Sequence, residues 1–331
     1  MWKPGNRNLI TDVQGLLVGN ARHDIAPTGV SVLTAEVPFV AAAHVMGGAP
    51  GTRETDLLEP DKSVQKADAI VLSGGSAFGL DAASGVMAAL RKAGRGFPAR
   101  GVLVPIVPAA VLFDLDGLNA IAPTEVSYAD LGAGAFEQRA PEFSLGTNGA
   151  GVGATAGHHL RGGLGSASLV LDGGIVVGAL VAANPHGSVI ADDDGRFWAA
   201  PWEIGAEFGG RGVAIQPKVL RLPGATPQVG TNTTLAIVAT NADLSQAEAK
   251  RMAVAAHDGI ARAVVPAHTP FDGDMVFSAA TGTVNLADRP FATAQIGHAA
   301  ALCVSRAIAR AIFAAGAGGV SRLPSWRDAY G

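Results

Sequence analysis

The sequence predicts an α/β protein in which sheets are layered against helices within one domain. Three observations lead to this prediction. Apolar runs of strand length mix with helical stretches, two of these runs are joined by a hairpin turn, and 44 of the 331 residues are glycine. A mixture of hairpins and helices favours layered sheets and helices over a doubly wound parallel sheet. Glycine allows the close backbone approach that such layers need.

The first predicted pair of elements is a buried strand and a helix. Residues 69–72 are the apolar run Ala-Ile-Val-Leu, which ends at a glycine-rich turn, and residues 80–93 follow as a helix rich in small side chains. The turn resembles a nucleophile elbow around Ser76, but its second glycine comes one residue too late. We therefore expect Ser76 to cap the helix.

A β-hairpin is predicted near the middle of the chain. Residues 166–171 and 175–183 are apolar runs separated by Asp172-Gly173-Gly174. An Asp-Gly pair between two such runs is a strong hairpin signal. The acidic stretch Asp192-Asp193-Asp194-Gly195 lacks the alternating ligands and closing Glu of an EF-hand, so we expect an exposed hairpin tip there.

Two further strands alternate with two helices toward the end of the chain. Residues 234–239 and 275–280 are apolar runs of strand length. Between them, Ser245-Gln246-Ala247-Glu248 has the pattern of a capping box, which predicts a helix from Ser245 to about Ala263. Residues 293–315 predict a long, mostly apolar helix.

Composition argues against several classes of protein. Apolar residues make up 48% of the chain and charged residues 16%, and the formal net charge is −4 without a Lys/Arg cluster. A nucleic-acid partner is therefore not expected. The single cysteine, Cys303, lies in an apolar pattern, so we expect a buried core residue rather than a disulfide or a zinc ligand.

The location of the protein is predicted from the lack of targeting and spanning signals. The first 12 residues lack the apolar stretch of a signal peptide, and nowhere do 18 apolar residues run together. We therefore expect a cytoplasmic protein with no membrane partner.

The glycine-rich loop and the histidines are the next candidate sites. In the loop from Gly149 to Gly157, Ala156 stands where a dinucleotide fingerprint needs its third glycine. A tight turn is favoured, with a nucleotide-binding oxidoreductase as the alternative. The histidines form no metal-binding helical pair, so neither a metal nor a cofactor is expected. Six of them are individually expected to be structural: His23, His44, His186, His257, His268 and His298.

The junction Asn232-Thr233 has a more specific chemical interest. A polar loop ends there where a buried strand begins. If the peptide bond breaks, Thr233 presents a hydroxyl and a free α-amine whose pKa, about 7.7–8.0, suits a general base at neutral pH. Polar residues before a strand are common, so this spacing alone leaves a purely structural reading open.

An ordered set of motifs across most of the chain resembles the self-processing L-aminopeptidase/D-esterase family. That family includes β-peptidyl aminopeptidases, a nylon-oligomer hydrolase and a pantetheine-cleaving amidase. Each motif alone is weak evidence, but their joint occurrence in this order is specific. The motifs are residues 48–56, 72–80, 149–157 and 162–168, then Ala183-Asn184-Pro185, Asn232-Thr233-Thr234 and Asp272-Gly273-Asp274.

The resemblance implies a four-layer α/β/β/α sandwich similar to N-terminal nucleophile hydrolases, and a self-cleaving enzyme. Thr233 would attack the carbonyl of Asn232, dividing the chain into residues 1–232 and 233–331, which stay associated. In the mature enzyme Thr233 would form an acyl-enzyme with a small peptide or peptide-like amide. By the same resemblance Asn184 would donate to the oxyanion.

The resemblance further implies that Asp272 and Asp274 position the amine of the nucleophile, although a turn before the next strand is an alternative for one of them. His158 stands where the nylon hydrolase has a lysine, or the alignment slides to Arg161. Phe113 stands where some members have a pocket tyrosine. These departures support a second hypothesis, an inactive homologue that acts as a binding protein. Family members are often tetramers, so a homo-oligomer is expected.

Overall fold

The structure is a computed structural model that describes residues 2–115, 125–157, 159–218, 232–316 and 323–331. Its strands are β1 (Leu16–Arg22), β2 (Gly29–Val45), β3 (Thr52–Arg53), β4 (Lys66–Ser73), β5 (Phe97–Ala99), β6 (Val102–Val104), β7 (Ala109–Val111), β8 (Thr155–Ala156), β9 (Leu160–Arg161), β10 (Gly163–Val170), β11 (Val176–Asn184), β12 (Thr233–Ala242) and β13 (Met275–Val284). Its helices are α1 (Ala82–Lys92), α2 (Tyr128–Glu137), α3 (Gln246–Ala263), α4 (Arg289–Ala314) and α5 (Trp326–Tyr330).

One nine-stranded sheet runs through the described residues in the order β10-β11-β12-β13-β2-β4-β7-β3, with β1 also paired to β2. The 17-residue strand β2 belongs to both halves of this sheet. Its first part pairs with β1 and β4, and its last part, Val40 to Val45, pairs with β13. The pairing with β4 shifts register between Thr34 and Phe39. β2 thus connects the two halves.

The two halves of the sheet face each other across a common core. Leu72 of β4 and Ile237 of β12 lie in the same buried cluster, although their strands are not neighbours in the sheet. The adjacent residues Val71 and Val238 belong to two other clusters. Successive side chains of a strand point to opposite faces, so each half has one inner and one outer face.

Helices cover both outer faces. Val71 packs in a cluster with Val86 of α1, and Val238 packs in a cluster with Ile260 of α3. The clusters also hold residues of α2 and α4, respectively. The order of layers is therefore helix, sheet, sheet, helix. This confirms the α/β/β/α sandwich.

Most of the predicted elements are confirmed. The hairpin is β10 and β11, joined through Asp172–Gly174, and α3 begins at a capping box in which Ser245 and Glu248 bind each other's amides. α4 begins at Arg289, earlier than predicted, because Asp288 accepts a hydrogen bond from the Phe291 amide and caps the helix.

The predicted cap at Ser76 is wrong. Residues Ser76–Asp81 form a 3-10 helix that leads into α1, and no side-chain cap begins either helix. Gly75 and Ser76 have φ angles of 84° and 50°, and the Gly75 amide donates to Asp114 Oδ1 at 2.7 Å. A tight left-handed turn held by a buried carboxylate therefore sets the start of the helix.

By length and composition alone, α4 is compatible with a membrane-spanning helix. The most apolar window of this helix is 78% buried inside the fold, against β10, β11 and α3. Such burial is typical of the core helix of a globular protein.

Candidate active site

Thr233 is the first residue of β12 and lies where neighbouring strands end together. β12 runs antiparallel to β11, with Thr233 opposite Asn184, the last residue of β11. It runs parallel to β13, and a bridge joins Asn232 to Asp272 just before β13 begins. The sheet register therefore brings Asn184, Thr233 and Asp272 together. Thr233 is buried, with 3% of its surface exposed.

The peptide bond between Asn232 and Thr233 is held in a constrained geometry. Thr233 Oγ1 lies 2.5 Å from the carbonyl oxygen of Asn232, and the Gly273 amide donates to the same oxygen at 2.9 Å. A Cβ atom at Gly273 would lie 2.7 Å from Thr233 Oγ1 and 2.8 Å from the Ala49 carbonyl oxygen. Only glycine fits there without displacing the hydroxyl or the neighbouring backbone.

Asp274 is the carboxylate that contacts the start of β12. Its Oδ1 accepts a hydrogen bond from the Thr234 amide at 2.7 Å, and its Oδ2 accepts one from the His268 amide at 3.1 Å. The His268 ring Nδ1 lies 2.9 Å from Oδ2, an ion-pair distance, although outside good hydrogen-bond geometry. Asp274 is 1% exposed, so this carboxylate is fixed by protein groups.

Asp272 is bound by donors of the adjoining loops. Its Oδ1 accepts from the His186 amide at 3.1 Å, and its Oδ2 accepts from the amide and hydroxyl of Thr269 at 2.9 and 2.5 Å. Burial and the charge of Asp274 raise the pKa of Asp272, against the opposing effect of these donors. The two carboxylates are therefore close enough for the charge of one to act on the other.

Asn184 has a fixed side chain beside Thr233. Its Oδ1 accepts from the amide and hydroxyl of Thr155 at 2.8 and 3.2 Å, and its Nδ2 donates to the Phe113 carbonyl at 3.1 Å. The half-buried Phe113 therefore adjoins Asn184. The contact uses the Phe113 backbone and does not depend on the residue type.

His158, the predicted counterpart of the family lysine, lies outside the described residues. Arg161, the other candidate for that position, is described. Its guanidinium donates through Nε to the Leu323 carbonyl and through an Nη to the Gly316 carbonyl, both at 2.8 Å. These contacts direct Arg161 toward the segment that follows α4.

The histidine cluster behind Asp274 was missed by sequence reasoning. His44, His257 and His268 come from β2, α3 and the loop before β13, and each was expected to be individually structural. Ring centroids lie 5.0 Å apart for His257 and His268, and 5.1 Å for His44 and His257. No spacing pattern links residues on three separate elements, so only the spacing of His268 and Asp274 on one loop offered a signal.

The glycine-rich loop forms a packing turn. Gly149–Gly151 is a 3-10 turn, and a Cβ atom at Gly151 would lie 2.1 Å from the Leu164 amide nitrogen. The short strands β8 and β9 follow it, whereas a dinucleotide site needs a helix there. This favours the predicted tight turn over the oxidoreductase alternative.

The described residues contain no group of three or more His, Cys, Asp or Glu side chains that could hold a metal. Cys303 is fully buried in the core, as predicted, and burial raises the pKa of its thiol to about 12.

Comparison with known proteins identifies close similarity over nearly the whole chain. A family model described as peptidase family S58 matches residues 8–320. A Mycobacterium tuberculosis protein named as an aminopeptidase is 40% identical over 349 residues, which cover 98% of each chain. A 6-aminohexanoate-oligomer endohydrolase of Kocuria sp. is 31% identical over 300 residues, 86% of this chain and 78% of that protein.

Solved structures show the same architecture. A β-aminopeptidase of Burkholderia sp. superposes with a TM-score of 0.71 at 25% identity, covering 96% of this chain and 89% of that one. The L-aminopeptidase D-Ala-esterase/amidase of Ochrobactrum anthropi, described as a variant of the Ntn hydrolase fold, gives 0.69 at 23% identity, with 97% and 91% covered. The second likeness is one of fold alone.

Proposed function

Because the chain belongs to peptidase family S58 and is a hydrolase of the aminopeptidase and amidase class, we propose that it is self-processing, with Thr233 as its nucleophile. The observation that carries this proposal is the geometry of the Asn232–Thr233 bond. The Thr233 hydroxyl lies 2.5 Å from the carbonyl oxygen of Asn232, beside the group that it would attack.

The first reaction is cleavage of the chain itself. Thr233 Oγ1 attacks the carbonyl carbon of Asn232, the hydroxyl proton passes to the departing Thr233 nitrogen, and an ester replaces the amide. Water then cleaves the ester to a carboxylate at Asn232 and a free hydroxyl and amine at Thr233. The Gly273 amide, already 2.9 Å from the carbonyl oxygen, supports this step by stabilising negative charge on that oxygen.

The second reaction is hydrolysis of a substrate amide. The neutral α-amine of Thr233 takes the proton of its own hydroxyl, which attacks the substrate carbonyl and forms an acyl-enzyme that water resolves. Asn184, opposite Thr233 in the sheet, is the proposed oxyanion donor, and such a donor contributes about 2.7–4 kcal/mol to catalysis. Asp274, bound to the Thr234 amide, is the proposed partner of the amine.

The proposed substrates are small peptides or peptide-like amides, and no cofactor is part of the scheme. The names of two similar proteins, an aminopeptidase and a 6-aminohexanoate-oligomer endohydrolase, are the support for this class. Phe113 is a proposed pocket residue because its carbonyl contacts Asn184. His158 is proposed as the counterpart of the family lysine.

The Thr233→Ala variant tests the self-cleavage directly. The wild-type chain should give two bands on a denaturing gel, and mass spectrometry should place the break between Asn232 and Thr233. Without the hydroxyl the variant should stay as one intact band. A variant that still cleaves at this bond would overturn the mechanism.

The Thr233→Ser variant is the matched control, because it keeps a hydroxyl on the same atom. It should cleave at the same bond. An intact wild-type chain without hydrolase activity would instead favour the inactive binding protein.

A further inference from the structure

Three histidine side chains pack one behind another on the far side of Asp274 from Thr234. The His268 ring lies 2.9 Å from Asp274 Oδ2, and the His257 ring packs edge-on against it at 5.0 Å. His44 packs edge-on against His257 at 5.1 Å, and His257 Nε2 lies 3.1 Å from the His44 carbonyl oxygen. The His268 ring, next to the carboxylate, is therefore packed against His257, which is itself packed against His44.

The backbone of His268 is held in an uncommon conformation. Its φ angle is 55°, in the left-handed region, which is unfavourable for a residue other than glycine. The same residue directs both its amide and its ring toward one oxygen, Asp274 Oδ2. A conformation of this kind persists only where surrounding contacts hold it, and here those contacts end on the carboxylate beside Thr233.

The charges around the cluster stabilise the cationic form of His268 and disfavour that of His257. Burial lowers the pKa of His268, but the Asp274 carboxylate, 2.9 Å from Nδ1, outweighs burial, so the pKa is raised overall. Burial lowers the pKa of His257 to about 4. Burial and the charge of Lys250 lower the pKa of His44. The titratable and charged groups that face the cluster are Asp272, Asp274, Glu59, Lys250 and Arg251.

We infer that His268 is a positioning residue for the nucleophile: it holds the Asp274 carboxylate against the start of β12 and offsets the charge of that carboxylate beside the Thr233 amine. His257 and His44 support the ring from behind. This inference rests on the proposed function, since the amine exists only after cleavage. His268 thus acts on the basicity of the amine through Asp274.

The inference predicts the direction of a pH shift. A carboxylate near an ammonium group raises the pKa of the amine, and a neighbouring cation reduces that effect. Removing the charge of His268 should therefore raise the pKa of the Thr233 amine. Since the neutral amine is the base, the acid limb of kcat/KM should move to higher pH.

The experiment compares His268→Gln with His268→Lys in the full processed chain. The pH dependence of kcat/KM is measured with the amino-acyl p-nitroanilide that the wild-type protein hydrolyses fastest. His268→Gln should move the acid limb upward by about one pH unit, which is about tenfold in kcat/KM below the limb. His268→Lys retains a cation and should restore the limb most of the way to its wild-type position.

Two outcomes would overturn the inference. One is a uniform loss of activity in His268→Gln with an unmoved acid limb, as expected of a purely structural residue. The other is an equal shift in both variants. The exposed His298 of α4 provides the matched control, and His298→Gln should keep the wild-type profile.

A second measurement tests the inference if the His268→Gln chain fails to fold or if the protein hydrolyses none of the p-nitroanilides. The titration midpoint of His268 is followed by NMR in uncleaved Thr233→Ala and in Thr233→Ala with Asp274→Asn. Neutralising Asp274 should lower the midpoint by about one pH unit. An unchanged midpoint would overturn the inference. Failure of the proposed function is recognised separately, by cleavage of Thr233→Ala at Asn232.

Discussion

At the scale of single residues, Gly273 is as constrained as Thr233. The Gly273 amide donates to the Asn232 carbonyl, and its α-carbon leaves no room for a side chain beside Thr233 Oγ1. The Asp-Gly-Asp motif therefore combines two carboxylates with an amide donor and a space for the hydroxyl. The carboxylates were predicted as site residues, whereas the contacts of the glycine between them are seen only in the structure.

Gly273→Ala should slow self-cleavage while the chain still folds. Its Cβ would lie 2.7 Å from Thr233 Oγ1, so the hydroxyl or the strand must move away from the carbonyl. Such a movement also pulls the residue 273 amide away from the Asn232 carbonyl, and losing one oxyanion donor costs about 2.7–4 kcal/mol, or about 100- to 1,000-fold in rate. Time-resolved denaturing gels of freshly expressed protein would measure this rate.

Gly134→Ala is the control for this prediction. Gly134 lies in α2, and a Cβ atom there would meet nothing within 4 Å. The control should cleave at the wild-type rate. Wild-type cleavage in Gly273→Ala as well would show that the close contact has no role in the reaction.

The two carboxylates differ in their surroundings, and this separates their proposed roles. Asp272 is occupied by donors from Thr269 and His186, whereas Asp274 contacts the Thr234 amide and His268. Asp274 is therefore the better candidate for the partner of the Thr233 amine. The contacts of Asp272 indicate that it organises the loop before β13.

At the scale of elements, α4 approaches β10 through very small residues. A Cβ atom at Gly165 of β10 would lie 1.9 Å from the Ala307 carbonyl oxygen and 2.8 Å from the Ala311 side chain. Both groups belong to α4, which also carries the buried Cys303 and Ile308. The high glycine and alanine content of the chain is thus explained in part by the close packing of this helix on the sheet.

Gly165→Ala should destabilise the protein by about 1–3 kcal/mol or more, because the added methyl meets backbone atoms that cannot rotate away. Urea unfolding monitored by circular dichroism would measure the change in the free energy of unfolding. Gly134→Ala is again suitable as the control, since an open helical site gains from alanine. Equal stability of the two variants would contradict the packing argument.

The sequence predicted these elements well where the contacts that fix an element lie within the element itself. The capping box of α3 and the Asp-Gly turn of the β10–β11 hairpin are short-range signals, and both are confirmed. The predictions were less accurate at the start of α1, where the turn depends on Asp114. That carboxyl is distant in sequence, and burial raises its pKa to about 7.

At the scale of the whole molecule, the two predicted fragments interleave. β12 and β13, from the fragment 233–331, lie between β11 and β2, from the fragment 1–232. Sheet hydrogen bonds therefore join the fragments at both edges of this strand pair. The fragments should stay together after cleavage and separate only when the protein unfolds.

A buried ion pair also joins the two fragments. Arg306 of α4, 1% exposed, binds Glu207 through Nε at 2.6 Å and through an Nη at 2.9 Å. It also donates to the Asn8 side chain and to the Ser168 carbonyl. One helix residue thus connects the N-terminal segment, β10 and the loop that carries Glu207.

Glu207→Gln should lower the free energy of unfolding by about 3–5 kcal/mol at pH 7, because it leaves Arg306 buried without its counter-charge. The exposed Glu142 provides the control, and Glu142→Gln should change stability by less than about 1 kcal/mol. Urea unfolding would compare the two variants. A Glu207→Gln protein as stable as its control would contradict the assigned role of the pair.

The same pair predicts a pH dependence with a definite sign. Burial raises the pKa of Glu207, but the hydrogen bond and charge of Arg306 outweigh burial, so the pKa is lowered below the ordinary value of 4.5. A folded-state pKa below the unfolded one gives stability that is present above the unfolded pKa and is lost as pH falls through the folded pKa. The difference between wild type and Glu207→Gln should therefore shrink as the pH falls below 4.5.

The predicted homo-oligomer also belongs to this scale and stays a prediction, as does the cytoplasmic location. The hairpin of β5 and β6 exposes Phe97 and Val102, whose accessible fractions are 44% and 54%. The mass of the purified protein by light scattering would establish its oligomeric state.

The sequence by itself determined the features that depend on neighbouring residues or on the order of motifs along the chain. The main strands and helices and the layered α/β architecture follow from patterns within a few residues. The candidates Asn184, Thr233, Asp272 and Asp274 follow from the resemblance of the ordered motifs to a known family. The tertiary structure decided which groups touch. The register of β11, β12 and β13, the fit of Gly273 against the Thr233 hydroxyl, and the placement of His268 behind Asp274 depend on contacts between distant segments, which no local pattern records.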